Sequence, residues 1–195
     1  MGRTASITRR TGETDILVEI DLDGTGRSDV KTGVGFFDHM LTALSRHSLI
    51  DMTVHVEGDT WVDDHHTVED TGIALGQALR EALGDKAGIR RFGDALVPLD
   101  EALVMAAVDF SGRGELFWDV EIGPEKVGSF DTELGHEFFA GLARDAGMTL
   151  HLRKVTGDNA HHILEATFKA AARAIRAAVE PDPRVEGIPS TKGVL

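Results

Sequence analysis

The feature that most limits what this chain can fold into is a phrase that occurs twice. Asp64-His65-His66-Thr67-Val68-Glu69 returns as Ala160-His161-His162-Ile163-Leu164-Glu165, so that His65 to His161 and Glu69 to Glu165 each span 96 positions in a chain of 195. A spacing near half the length marks an internal duplication, which constrains the architecture more than any local propensity. The apolar pattern around the two phrases repeats as well. Ile16 to Leu22 reads as a strand that runs into the turn Asp23-Gly24-Thr25-Gly26 and a second short strand, Phe36 to Leu44 has helical spacing, and Met52 to Val56 alternates like a half-buried strand. Val68, Leu75, Leu79 and Ala82 then mark a helix, with Asp63 and Asp64 as N-cap candidates and Gly84 as the stop.

The other half offers Ala106 to Phe110 as a strand, the turn Ser111-Gly112-Arg113, a short helix from Phe138 to Ala143 and a strand from Met148 to Leu152. It closes with a helix whose apolar stripe is Leu164, Phe168, Ala171, Ile175 and Ala178. The expectation is an α/β (α+β) fold, one compact domain made of a duplicated strands-helix-strand-helix unit. Its halves are residues 1–95 and 96–180, followed by an extended Pro- and Gly-rich tail at 181–195.

Composition narrows the chemistry. With no Cys and no Tyr, thiolate nucleophiles, Cys-type zinc sites and phenol acid/base groups are excluded, leaving His, carboxylates, hydroxyls, Lys and Arg. The formal net charge of −13 disfavours nucleic acid and anionic membrane as partners. No targeting segment is evident, and the longest apolar run, Ala102 to Val108, is far too short to span a bilayer, so a soluble cytoplasmic protein is expected.

On a helix, His65 and Glu69 are i, i+4 neighbours able to reach one cation together, while His66 points about 100° round the axis to a second destination. One His-His-x-x-Glu alone is compatible with a solvated helix start. Two copies in register point instead to two related metal sites with imidazole and carboxylate ligands and no sulfur, a donor set that suits Mn, Fe, Zn or Ni and, with its carboxylates and open positions, favours six-coordinate Mn. His39, after a Phe pair, is a candidate for a further ligand, and in the second half either His136 or Glu137 takes the matching place. His47, His55 and His151 lack a repeated carboxylate partner and read as structural. Scattered cations in this acidic chain, Arg90, Arg91, Arg113, Lys169 and Lys192, stand mostly beside Gly or Ser, the company that phosphate sites keep.

Seven phrases together resemble one family, the imidazoleglycerol-phosphate dehydratases, across nearly the whole length. They are Phe36-Phe37-Asp38-His39-Met40, His65-His66-Thr67-Val68-Glu69-Asp70, Arg91-Phe92-Gly93, Pro98-Leu99-Asp100-Glu101, Ser111-Gly112-Arg113, His161-His162-Ile163-Leu164-Glu165-Ala166 and Ser190-Thr191-Lys192-Gly193. The resemblance implies sheets packed on helices, a homo-oligomer of 24 subunits, and active sites with two Mn2+ ions each, built between subunits. It also implies the reaction, loss of water from D-erythro-imidazole glycerol phosphate to give imidazole acetol phosphate in histidine biosynthesis. That proton loss is not assisted by a carbonyl, and a metal on the imidazole ring would favour the imidazolate that expels the hydroxyl.

By the same resemblance His39, His65, His66, Glu69, His161, His162 and Glu165 match ligand positions, and the eighth falls at Glu137, where some relatives have His, or at His136 before it. Glu13, His66, Glu69 and Glu165 match the catalytic groups. Arg91, Arg113, Ser190 and Lys192 match the phosphate site, while Glu13 and Lys169 match further substrate contacts. The helix N-terminus beside each His pair is expected to lower imidazole basicity and keep the ligands unprotonated. A dinuclear metallohydrolase and a metal-buffering shell protein are the competing classes; the second gives Arg91, Arg113 and Lys192 no task.

Overall fold

A computed structural model describes residues 2–195. The first half runs β1 (Thr4–Arg10), β2 (Thr14–Asp21), β3 (Ser28–Lys31), α1 (Gly35–Ser48), β4 (Asp51–Gly58) and α2 (His65–Leu83). The second runs β5 (Phe92–Leu99), β6 (Ala102–Asp109), β7 (Glu115–Asp119), a short hairpin of β8 (Lys126–Val127) and β9 (Phe130–Asp131), α3 (Leu134–Ala146), β10 (Thr149–Thr156) and α4 (Ala160–Val179). Apart from the β8–β9 hairpin the two series are the same.

The sheets repeat one another strand for strand, in the orders β1-β2-β4-β3 and β5-β6-β10-β7. In each, the first three strands pair antiparallel and the last joins parallel, as β3 does with β4 and β7 with β10. Period-2 alternation decides which face is covered: Ile16, Val18 and Ile20 of β2 and Ala102, Val104, Ala106 and Val108 of β6 are buried against helices, while their neighbours face outward.

Each long helix lies on its own sheet, α2 on β1 and β2 and α4 on β5 and β6, but helix–helix contacts cross between the halves. α2 packs on α3, and α1 packs on α4. Small residues set that closeness. A Cβ on Gly72 would run into the Phe138 carbonyl, and one on Gly76 would lie 2.7 Å from the Leu142 oxygen. The expected stripe on α4 is fully engaged, with Leu164, Phe168, Ala171 and Ala178 at 0% exposure.

Three features differ from expectation. β1 and β5 carried no strong strand pattern because they are edge strands; in β1 only Ala5 is buried. The tail is turned rather than extended: Pro181 bridges Ile89, and turns close from Val185 to Asp182 and from Gly193 to Ser190. Asp, Pro and Gly favour turns over a continuous run. At the start of α2, Asp64 occupies the cap position without a side-chain cap, and Asp63 accepts from the His65 N–H at 2.8 Å instead.

Candidate active site

The two His phrases stand in the first turns of α2 and α4, and the crossed helix packing determines which donors meet. His39 comes from α1 and reaches the other half: its Nε2 lies 3.2 Å from Glu165 Oε2, and His161 Nε2 lies 3.1 Å from the same oxygen. One nitrogen or oxygen from each of the three falls within 4.8 Å of the others. Ligand atoms about 2.1 Å from one ion lie no more than ~4.2 Å apart, so small side-chain shifts suffice for this trio to share a divalent cation. Phe36 packs edge-on against the His161 ring, with centroids 5.1 Å apart.

Glu165 also takes the Lys169 ammonium at 2.6 Å. Burial pushes the Glu165 carboxyl up, but hydrogen bonds from Lys169, His39 and His161 outweigh it and hold the group at about 2. An ionised carboxylate between two imidazoles, with no sulfur donor nearby, is chemistry that fits a divalent ion of the Mn type.

In the first half, His65 Nε2 stands 3.6 Å from Glu69 Oε2, the i, i+4 approach expected from helical spacing. His66 turns elsewhere, its Nδ1 3.0 Å from Asp59 Oδ2 and its Nε2 3.6 Å from Glu13. Glu13 sits in the β1–β2 hairpin, which is pinned to α2 by the Thr14 hydroxyl donating to Asp70 at 2.6 Å and by an Arg9–Asp70 ion pair. The Asp59 N–H adds a bond to the Glu13 carbonyl at 3.1 Å. His162 has the matching arrangement, Nδ1 2.7 Å from Glu101 and Nε2 3.7 Å from Asp100.

These carboxylates overturn one expectation. The hydrogen bonds they accept, Asp59 from His66 and Glu101 from His162, raise both imidazole pKa values above the ordinary 6.5, against the pull of the helix N-terminus. Glu101 in turn is held at about 2 by His162 and by the Asn159 N–H. A hydrogen-bonded carboxylate at contact distance is stronger than a partial helix charge. Neither Asp59 nor Glu101 was picked out as a site residue from the sequence; Asp59 lies seven residues before its imidazole and Glu101 sixty-one.

α1 and α3 both end in a left-handed residue, Leu49 and Gly147, and His39 and Glu137 each stand ten residues before that cap. Glu137 therefore holds the place in α3 that His39 holds in α1. Its partner is His136, with Nδ1 2.9 Å away, and the His136 ring packs edge-on against Trp118. Among the described residues, one trio of candidate donors is assembled; Glu137 pairs with His136, while His65 and Glu69 face each other. The remaining histidines have other company: His55 bonds to Asp29 at 2.9 Å, His151 stacks on Phe117, and burial lowers the pKa of His47.

The expected phosphate groups converge around Asp109. Arg91 donates to it through Nε at 2.7 Å and Nη2 at 3.2 Å, and Arg113 approaches it at 3.6 Å. The third arm of Arg91, Nη1, donates to the Pro189 carbonyl at 2.9 Å, which draws the Ser190–Lys192 segment to the same place. There the Lys192 N–H donates to the Ser190 hydroxyl at 3.1 Å.

Comparison with known proteins gives a consistent result. The family model described as imidazoleglycerol-phosphate dehydratase matches residues 32–175. Relatives of that name from Dinoroseobacter shibae and Paracoccus denitrificans are 64% and 63% identical, each over 194 residues that cover 99% of this chain and 100% of the relative. Of the solved structures, imidazoleglycerol-phosphate dehydratase from Staphylococcus aureus superposes with a TM-score of 0.84 at 38% identity, covering 92% of this chain and 99% of that one. The Pyrococcus furiosus enzyme in complex with (S)-C348 also gives 0.84, at 42% identity and with 97% and 100% covered.

Proposed function

Because the chain belongs to the imidazoleglycerol-phosphate dehydratase family, whose members are hydro-lyases, we propose that it removes water from D-erythro-imidazole glycerol phosphate to give imidazole acetol phosphate in histidine biosynthesis. The observation that carries this reading is the trio of His39, His161 and Glu165, closed across the two halves and bordered by Lys169.

Two Mn2+ ions per active site would be held by His39, His65, His66, Glu69, Glu137, His161, His162 and Glu165. When bound, the metal supplies Lewis acidity toward the imidazole ring of the substrate. The chain's own groups do the rest. Breaking the C–H bond sends its proton to a base and its electron pair toward the new C=C bond; the C–O bond breaks, the leaving oxygen takes up one proton to become water, and the enol that remains tautomerises to the ketone. Glu13, half-exposed and 3.6 Å from His66, is the group proposed to take or return that proton. Arg91, Arg113, Ser190 and Lys192 bind the phosphate, and Lys169 contacts the substrate beside Glu165.

His39, His65 and His161 are exposed by 51%, 40% and 44% of their side chains, which leaves them accessible to donors from another copy. Trp61 and Val62, 84% and 61% exposed and close to His65 in sequence, add apolar surface of the kind that assembly covers. Both support a homo-oligomer, for which we propose 24 subunits with sites shared between them. No helix among the described residues is long and apolar enough to cross a membrane. The proposed location is the cytoplasm, with no nucleic-acid or membrane partner.

The test is metal analysis joined to an assay of water loss from imidazole glycerol phosphate. Chelator-treated protein should be inactive and regain activity with Mn2+. Full activity without metal overturns the reading, and release of inorganic phosphate instead of a ketone assigns the site to a hydrolase.

A further inference from the structure

We propose that Asp59 and Glu101 are positioning residues that hold His66 and His162 as Nδ1–H tautomers, leaving Nε2 of each ring free to ligate. The proposal rests on the reading of those two imidazoles as metal ligands. Its basis is the pairing of each Nδ1 with a carboxylate oxygen, at 3.0 Å for Asp59 and 2.7 Å for Glu101. An ionised carboxylate only accepts, so the ring nitrogen facing it must carry the proton. In a neutral ring the lone pair then resides on Nε2.

The origins of the two carboxylates strengthen the case. His66 and His162 are equivalent positions of the duplication, yet Asp59 lies between β4 and α2 whereas Glu101 lies in the β5–β6 hairpin. The same nitrogen is met in both halves from places that the duplication does not relate, so the geometry is not simply inherited with the fold. Both carboxylates are themselves fixed. Asp59 is 7% exposed and its N–H is tied to the Glu13 carbonyl. Glu101 accepts from the Asn159 N–H at 2.9 Å through its other oxygen, which locks it to the start of α4. His65 and His161 differ in which nitrogen their close carboxylate meets: Glu69 and Glu165 face Nε2 along the helix, not Nδ1.

The experiment has two arms. Solid-state 15N spectra of metal-free protein labelled in its histidine side chains, recorded well above the titration range, should show protonated Nδ1 on the ring that responds to Asp59→Asn and on the ring that responds to Glu101→Gln. Mn2+ affinity of the reloaded protein should fall by roughly tenfold to a hundredfold in each variant, and Asp59→Glu should recover part of it. A proton on Nε2 of His66 in the wild-type protein overturns the proposal, as does wild-type Mn2+ affinity in Asp59→Asn. If wild-type protein takes up no Mn2+, the ligand reading fails, while the metal-free spectra still decide where the proton sits.

Discussion

His39 and Glu165 are separated by 126 positions in sequence and by 3.2 Å in space. The contact joins α1 to the first turns of α4, so the best-formed group of candidate ligands belongs to neither half alone. Its carboxylate is expected to be indispensable. Glu165→Gln keeps the shape and removes the charge, and should lower the rate of dehydration at least about a hundredfold while reducing bound Mn2+. Metal content and rate equal to wild type would take Glu165 out of the site.

The raised pKa values of His66 and His162 make a prediction for the metal-free protein. A folded-state pKa above the unfolded 6.5 means that the protonated rings stabilise the fold; the contribution is complete below pH 6.5 and disappears as pH rises through the elevated values. Thermal melts from about pH 6 to about pH 9 should show wild type losing its advantage over a His66→Gln, His162→Gln double variant, and parallel curves would contradict this. With metal the dependence reverses, because Mn2+ competes with those protons and binds more weakly as pH falls.

Helix packing between the halves gives a stability prediction. Ala is intrinsically about 1 kcal/mol better than Gly inside a helix. At Gly72 the added Cβ meets the Phe138 carbonyl, which is backbone of another helix and has no easy escape. Overpacking of that kind costs about 1 to 3 kcal/mol or more, so Gly72→Ala should be net destabilising in a urea titration. Gly12→Ala, with nothing within 4 Å of its Cβ, is the matched control and should stay near neutral.

Arg113 is 62% exposed and only loosely paired with Asp109, so Arg113→Ala should spare the fold and raise the KM for the phosphorylated substrate. Loss of a charge-assisted bond is worth about 1.5 to 3 kcal/mol, or roughly tenfold to a hundredfold in KM. Arg91→Lys should do the same and also cost stability, since an ammonium cannot keep both bonds to Asp109 and the one to Pro189 together. Steady-state kinetics with kcat and KM resolved separate the two cases; an unchanged KM in both variants would place the phosphate elsewhere.

Legibility from the sequence followed burial. The stripe of α4 was readable because its buried face is almost wholly apolar, that of α2 because Val68, Leu75, Leu79 and Ala82 keep helical spacing among buried Thr67, Asp70 and Thr71, and the repeat of His-His-x-x-Glu because i, i+4 spacing is local. β1 was not, since an edge strand with one buried residue leaves little pattern. The helix register that aligns Glu137 with His39 needed the two left-handed caps, a backbone property that Leu49 does not advertise. Asp59 and Glu101 were unreadable as partners for a different reason: a carboxylate's partner is chosen by folding, and neither lies on the helix that carries its imidazole.

The crossed packing of α1 on α4 and α2 on α3 has a consequence for how such a chain could have arisen. In a half-length precursor the contact between a His39-like residue and a Glu165-like residue has to form between two molecules, and its strength then depends on how much protein the cell makes. Joining the halves in one gene sets the local concentration of each donor around the other by the tether alone. It also frees the two copies to diverge, which is where a lone β8–β9 hairpin and the mismatched pair His39 and Glu137 become possible.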